Sequence, residues 1–137
     1  MNNHTIQQFK DGIFALRTRR FGTVAELMIR KLYNKSNAQN QFHDLYDDVN
    51  DKRVEVKFST VMKKNREVIN EFNLIQQCLE ANLANRAMKS KEIGIYPFDC
   101  NIQQVKRREF DILYYGLFFA DKIAIFSMES SEILSCY

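Results

Sequence analysis

The fold of this chain is decided by the stretch Asp44-Leu-Tyr-Asp-Asp-Val-Asn-Asp-Lys-Arg-Val-Glu55-Val-Lys57-Phe-Ser-Thr60. From Arg53 onwards polar and apolar residues alternate, as they do in a β-strand with one face in the core. One face carries Arg53, Glu55, Lys57 and Ser59, and the other carries Val54, Val56 and Phe58. The turn residues Val49-Asn50-Asp51 precede this strand, so we predict a β-hairpin that places Asp44 roughly opposite Glu55.

The three side chains that this hairpin brings together suit the hydrolysis of a phosphodiester. Carboxylates such as Asp44 and Glu55 are hard oxygen ligands for a divalent cation, which lowers the pKa of an attacking water and offsets charge in the transition state. Lys57 would orient or deprotonate that water, or stabilise the developing charge. A structural reading is also open, because opposite charges on neighbouring strands commonly stabilise a solvated sheet face.

Upstream of the hairpin, the sequence predicts a helix that begins near Thr23. Thr23 and Glu26 have the spacing of a capping box. An apolar stripe follows from Val24, Leu27, Met28 and Leu32. Glu26 therefore has a structural reading of its own, as the acid of the capping box.

The order of these features resembles the PD-(D/E)xK nuclease superfamily, most closely its type II restriction endonucleases. From Arg17 to Ser59 the chain has a basic-Gly-x-x-x-Glu helix, an acid, and Glu-x-Lys in an apolar strand. The resemblance implies an α/β fold, a restriction-endonuclease-like mixed β-sheet flanked by helices. It also implies cleavage of double-stranded DNA with Mg²⁺, for which Mn²⁺ is expected to substitute. Restriction enzymes cut two-fold symmetric sites, so a homodimer is expected.

The resemblance also assigns roles to individual residues. Asp44 and Glu55 would bind the metal, Lys57 would act in catalysis, and Glu26 would join the metal site directly or through water. The sequence departs from the family in having His43, not proline, before Asp44. Asp47 stays open as the alternative acid, although it lies nearer the turn, where acids usually solvate or cap.

Basic residues cluster on both sides of this acidic segment. The chain has 20 Lys and Arg against 17 Asp and Glu, a formal net charge of +3 and a sequence pI near 8.8. We expect phosphate contacts from Arg17, Arg19, Arg20, Lys63 and Lys64, with an ordinary solvated surface as the alternative. The resemblance adds Gln104, in a Gln-rich strand, as a residue lining the DNA cleft.

Outside this region the sequence predicts further core elements. Apolar runs from Ile112 to Phe119 and from Ile123 to Met128 are typical of strands covered on both faces. Apolar residues at helical spacing predict one long helix from Glu67 to Met88, which packs on the sheet or forms a dimer seam. A short helix is expected near the N-terminus, and helices are expected on both faces of the sheet.

Residues 1–137 are expected to form a single nuclease-like domain, and the short length leaves open that the chain is a fragment. Three widely spaced cysteines favour a reducing cytoplasm, and neither a signal peptide nor a membrane-spanning segment is expected. Two rival functions stay open. One is a Holliday-junction resolvase of the same superfamily, and the other is a catalytically inert nucleic-acid-binding domain.

Overall fold

A computed structural model of the chain describes residues 2–65, 67–81, 86–100 and 105–133. Over these ranges it has three α-helices and six β-strands. They are α1 (Asn3–Ala15), α2 (Thr18–Leu32), β1 (Ser36–Asn37), β2 (Leu45–Asp47), β3 (Lys52–Lys63), α3 (Leu74–Glu80), β4 (Phe98–Cys100), β5 (Ile112–Phe118) and β6 (Ile123–Glu129). No helix in these ranges is long and apolar enough to cross a membrane.

The strands form one mixed sheet in the order β1-β2-β3-β5-β6, with β4 paired to the far end of β3. All neighbours are antiparallel except β3 and β5, which run parallel. At the start of this parallel pair, the guanidinium and backbone N–H of Arg53 both bind the carboxylate of Asp111. The mixed α/β architecture expected from the sequence is thus confirmed.

The predicted hairpin is also confirmed. β2 and β3 pair with Leu45 opposite Val54, which places Asp44 next to Glu55. Asp51 has a left-handed backbone with φ of 54°, a conformation that Asp tolerates better than most residues. The carboxylate of Asp47 accepts hydrogen bonds from the backbone N–H groups of Val49 and Asn50 and so caps the turn.

The helices α1 and α2 cover one face of the sheet. Ala25 and Ile29 of α2 pack against Val54 and Val56 of β3. Ile13 and Phe14 of α1 pack near Phe118 of β5. Burial of this face follows from the apolar side of the alternating β3 pattern.

The other face of β3 is polar at Glu55 and Lys57 but becomes apolar at Val61, which is fully buried. Val61 packs there with Met88 and Phe119. Helices on both faces were expected. In the described ranges, however, the core clusters place helices against one face only, and the segment around Met88 packs on the other.

The helix expected from Thr23 begins earlier. α2 starts at Thr18 with Arg17 at its N-cap, and Thr23 lies inside the helix, where its hydroxyl donates to the Arg19 carbonyl oxygen at 3.2 Å. The first turn is instead held by packing of Phe21 against Phe118, with ring centroids 5.4 Å apart. The capping-box prediction was therefore wrong, and Glu26 has no capping role.

The long helix predicted from Glu67 to Met88 was also wrong. α3 spans only Leu74–Glu80, residues 82–85 lie outside the described part, and Met88 is paired to Val61 through its backbone N–H. Before α3, the Asn70 side chain accepts from the backbone N–H groups of Phe72 and Asn73, a local pattern that competes with a helix. The apolar residues at helical spacing are largely exposed; they include Val68, Phe72, Ile75 and Leu79.

The two predicted apolar strands are confirmed as β5 and β6, joined by a short turn. β6 is the last strand in the sheet order and is not covered on both faces, since Phe126 is half exposed. In β5, Gly116 lies opposite Phe58, and a Cβ at position 116 would lie 2.5 Å from the Phe58 ring. Glycine therefore makes room for that ring in the core.

Candidate functional site

Asp44 is fixed beside Glu55 by two hydrogen bonds to β3. Its backbone N–H donates to the Val54 carbonyl oxygen at 3.0 Å, and its carboxylate accepts from the Val56 N–H at 2.8 Å. Glu55 lies between these two residues on β3, with its side chain on the opposite face of the strand. The hairpin register therefore sets the positions of both acids.

Lys57 lies two residues along β3 from Glu55, so the two side chains share one face. The Lys57 Nζ lies 3.4 Å from Oε1 of Glu55. Only 12% of the Glu55 side chain and 27% of the Lys57 side chain are exposed. The amine of Lys57 and the carboxyl group of Glu55 thus lie in contact and are largely buried.

Glu26 reaches the same place from α2. It follows Ala25, whose packing against β3 orients this part of the helix. A side-chain hydrogen bond joins Glu26 to Asp44, and the charge of Lys57 also acts on Glu26. The structure therefore brings Glu26, Asp44, Glu55 and Lys57 together, from residues up to 31 positions apart in the sequence.

The acids of this cluster hold protons more tightly than ordinary carboxyl groups. Burial, followed by the hydrogen bond and negative charge of Asp44, raises the pKa of Glu55 to about 8, while Lys57 opposes the shift. Burial and then Asp44 raise the pKa of Glu26 to about 7. Crowded, desolvated carboxyl groups that repel one another are the situation that a bound cation relieves.

The oxygen-rich donor set fits a hard divalent cation such as Mg²⁺. In the described ranges, however, no three Asp, Glu, His or Cys side chains are already arranged to hold a metal ion. The carboxylates of Glu26 and Glu55 are each engaged with Asp44. Metal binding by Asp44 and Glu55 therefore stays a prediction.

Asp47, the alternative acid, is engaged elsewhere. Its side chain is buried and pairs with Lys35, with Nζ 2.8 Å from Oδ2. The hydrogen bond from Lys35, followed by that from Asn50, lowers the pKa of Asp47 well below its usual range. Because both carboxylate oxygens are used in this ion pair and in the turn, the geometry favours Asp44 as the acid of the site.

The predicted basic residues fall into two kinds of surroundings. Arg17, Arg19 and Arg20 are exposed at the start of α2, and none forms an ion pair with another described residue. The first turn of α2 also contains no acid. Positive charge from the helix dipole and from three arginines is therefore uncompensated there.

Lys63 and Lys64 are instead paired with acids. Lys63 lies 3.1 Å from Glu92 and Lys64 lies 3.4 Å from Asp99. Both lysines line a cavity of about 330 Å³ with Asn65, Glu80 and Arg86. Arg86 was not singled out from the sequence, because its approach to β3 depends on tertiary packing near Met88.

Gln104 and His43 are the remaining residues that the sequence placed near the site. Gln104 lies outside the described residues. His43 is buried, and its Nδ1 has no hydrogen-bond partner among the described residues. Its ring centroid lies 6.3 Å from that of Tyr46. His43 could in principle touch a metal, but strand alternation predicts that it points away from Asp44, and its burial beside Tyr46 is consistent with a structural role.

One residue beside the site was not found by sequence reasoning. Tyr115 of β5 lies opposite Lys57 in the parallel ladder. The sequence held no signal for this neighbour, since a parallel pairing between strands so far apart cannot be aligned from periodicity alone.

Comparison of the chain with protein-family models, with curated proteins and with solved structures finds no match. The assignment of a function therefore depends on the geometry and chemistry of the site.

Proposed function

We propose that this protein is a Mg²⁺-dependent endonuclease of the restriction type that hydrolyses phosphodiester bonds of double-stranded DNA, on a restriction-endonuclease-like sheet. The observation that carries the proposal is the convergence of Glu26 of α2, Asp44 just before β2, and Glu55 and Lys57 of β3. Surface ion pairs seldom combine three partly buried acids with one lysine, because each unpaired buried charge costs stability. Groups of buried acids with raised pKa values are typical of functional sites.

In this proposal Asp44 and Glu55 hold the cation, and Glu26 joins them directly or through water. The cation, when bound, lowers the pKa of a water and offsets charge on the phosphate. Lys57 has three N–H donors on one ammonium. One of them contacts Glu55, with Nζ 3.4 Å from Oε1, and the others would orient the attacking water or stabilise the transition state.

DNA phosphates would be held mainly by the arginines at the start of α2. Arg19 precedes Glu26 by seven residues, which places the two side chains on the same helix face about 10 Å apart. This spacing suits contact with a phosphate near the one that is cut. Lys63 and Lys64 would contribute less, because each must first exchange an acid for a phosphate.

We further propose a homodimer that acts in the cytoplasm. One site cuts one strand, and a two-fold axis would present two equivalent sites to both strands. The exposed apolar residues before and within α3 offer a surface for that contact; Phe72, for example, is 90% exposed. The exposed free thiols of Cys78 and Cys100 are compatible with a reducing compartment.

The experiment that tests the function is cleavage of supercoiled plasmid by the purified protein with Mg²⁺ or with EDTA. Discrete linear fragments that need Mg²⁺ support a restriction-type enzyme. Cleavage confined to four-way junctions in a parallel reaction would support the resolvase instead. Salt-sensitive DNA binding with no cleavage under any divalent cation would contradict the enzyme and leave the inert binding domain.

A further inference from the structure

β6 leaves one edge of the sheet open. It is the last strand in the sheet order, and among the described strands its partner is β5. None of its seven residues is buried, and Phe126 is 51% exposed. Along its outer side no backbone hydrogen bond to another described residue is formed. Such an edge is a template for a further strand.

β6 lacks the features that usually protect an open edge. Edge strands of soluble proteins are commonly short, charged, interrupted by proline or distorted by a bulge. β1, at the opposite end of the sheet, has two residues, and β4 has three. β6 has seven residues without proline, lysine or arginine, and its one charged residue is Glu129 at its end. Each residue pairs with one residue of β5, so no bulge interrupts it.

The hydrogen bonds at the two ends of β6 show which of its backbone groups point outward. The N–H of Phe119 donates to the Lys122 carbonyl oxygen, and the N–H of Ser130 donates to the Asp111 carbonyl oxygen. Hydrogen-bonded positions alternate along an antiparallel strand, so residues 124, 126 and 128 also bond to β5. The remaining residues of the strand direct their N–H and C=O groups away from the sheet; they are Ile123, Ile125, Ser127 and Glu129.

We propose that β6 pairs antiparallel with β6 of a second copy of this chain, about a two-fold axis at Phe126. This register pairs Ile123 with Glu129 and Ile125 with Ser127 of the other copy, so every outward group of the strand finds a partner. Phe126 lies opposite its own equivalent in a pair that is not hydrogen-bonded, where side chains come closest. An axis at Ile125 or Ser127 leaves one outward residue unpaired within the strand.

The charges at the ends of β6 favour a second copy as the occupant. The two-fold axis brings the start of one β6 to the end of the other, so the exposed Lys122 lies near Glu129 of the other copy at both ends of the pair. Asp121, beside Lys122, is engaged with Ser90. Within β6 no like charges lie opposite one another, and the exposed Phe126 ring is covered by the other copy.

The pairing does not depend on the nuclease function, and it is separate from the contact proposed at α3. Phe126 lies opposite Tyr115, which lies opposite Lys57, so the three side chains project from one face of the sheet. An axis perpendicular to the sheet keeps Lys57 of both copies on that face. Under the proposed function, one DNA duplex on this face would meet two sites.

Light scattering over a range of protein concentrations measures the pairing. Two seven-residue strands bury less surface than the roughly 1,600 Å² of a standard interface, so the contact forms only at high concentration. We expect the mass to double between about 10 µM and several hundred micromolar. The doubling is counted from the assembly present at the lower concentration, whether or not the contact at α3 has formed.

Opposite charges at position 126 test the register. Phe126→Lys and Phe126→Glu each place like charges face to face across the axis, so neither protein alone should double its mass. An equal mixture of the two should double, because each ammonium then faces a carboxylate. Val49→Lys, at an exposed position on the hairpin turn, is the charge-matched control and should double as the wild type does.

Ser127→Pro tests the backbone hydrogen bonds. Proline removes the outward N–H of Ser127, which β5 does not use, so the melting temperature should change little while the doubling is lost. Met128→Pro is the control for direction. It removes an N–H that bonds to β5 and should lower the melting temperature. If the charged variants do not fold, Ser127→Pro decides the test.

Four results would overturn the pairing. A wild-type mass that stays constant leaves the edge to a strand of another protein or to another segment of this chain. A mass that rises without limit shows open-ended association in place of a closed two-fold pair. Doubling by folded Ser127→Pro excludes the backbone contact. Doubling by Phe126→Lys alone, or a folded mixture that does not double, excludes the axis at Phe126. DNA cleavage is measured separately and is not decided by these results.

Discussion

The carboxylate of Asp44 accepts a hydrogen bond from the backbone N–H of Val56 at 2.8 Å. The last residue pair between β2 and β3 is Leu45 and Val54. Just beyond it, the side chain of Asp44 accepts from a backbone N–H of β3 in place of a backbone carbonyl. The bond holds Asp44 against Glu55. Under the proposed function, fixing Asp44 in this way would lower the ordering cost of cation binding.

The first prediction concerns pH and Glu55. Its pKa rises from 4.5 to about 8 on folding, so the folded protein binds this proton more tightly than the unfolded chain. The protonated group therefore favours folding below about pH 4.5, and this contribution is lost as the pH rises through about 8. Glu55→Gln, which cannot ionise, should be more stable than wild type at pH 9 and should gain nothing at pH 4.

Thermal melts of metal-free protein between pH 4 and 9 measure this difference. Glu71→Gln, at an exposed position, is the charge-matched control. A Glu55→Gln variant that is less stable than wild type at pH 9 would show that the ionised Glu55 carboxylate stabilises the fold through Lys57, and the burial of Glu55 would then carry no penalty.

The second prediction concerns DNA contacts. Changing Arg17, Arg19 and Arg20 together to Gln should lower the slope of log affinity against log salt by about 0.9 for each phosphate that is no longer neutralised. Changing Lys63 and Lys64 to Gln should alter it less, because both lysines are already paired with acids. Fluorescence anisotropy with a labelled duplex at several salt concentrations gives both slopes. If the lysine changes lower the salt slope more than the arginine changes do, the main phosphate-binding surface lies at the far end of β3.

The third prediction concerns packing under the site. Gly116→Ala would place a Cβ 2.5 Å from the Phe58 ring, which also packs on Phe118. We expect a loss of about 1–3 kcal/mol in the free energy of unfolding. Gly12→Ala is the control, since nothing lies within 4 Å of a Cβ there and the position is inside α1. It should stabilise by roughly 0.5–1 kcal/mol. Equal effects in urea unfolding would contradict the close packing of Gly116.

The fourth prediction concerns assembly. Light scattering at micromolar concentration should give a dimer, and Phe72→Ser or Ile75→Ser should shift it toward monomer, because both side chains are largely exposed in the single chain. Val49→Ser, at an exposed apolar position on the hairpin turn, is the control and should leave the dimer intact. A wild-type protein that is monomeric even with DNA bound would contradict the dimer and favour a nicking enzyme.

The hairpin was predictable because its signals are local. Strand alternation and turn residues fix which residues pair between Asp44 and Lys57, so the relation of Asp44 to Glu55 follows from the sequence. The strands β5 and β6 were predictable for the same reason, since their apolar runs are bounded by a turn at Asp121.

The remaining differences arise where tertiary contacts or side-chain hydrogen bonds override a pattern. Phe21 packs on Phe118, and α2 begins at Thr18, five residues before Thr23. The Asn70 side chain bonds to nearby backbone N–H groups, where the periodicity predicted a continuous helix. The placement of Tyr115 beside Lys57 depends on which residues pair across 58 positions of sequence, and no local signal encodes that register.

The most direct test of the candidate site compares Mg²⁺-dependent cleavage of plasmid DNA by Asp44→Asn and Asp47→Asn. Both variants replace one carboxylate of the same strand region by an amide. Asp44→Asn should cut at least about 10²-fold more slowly than wild type and keep its stability, because Asp44 serves the site. Asp47→Asn should lose about 1–3 kcal/mol of stability, because the change breaks the pair with Lys35. The folded fraction of this variant should cut DNA at the wild-type rate. Equal cleavage by Asp44→Asn and wild type would contradict the assignment of Asp44 to a catalytic metal site.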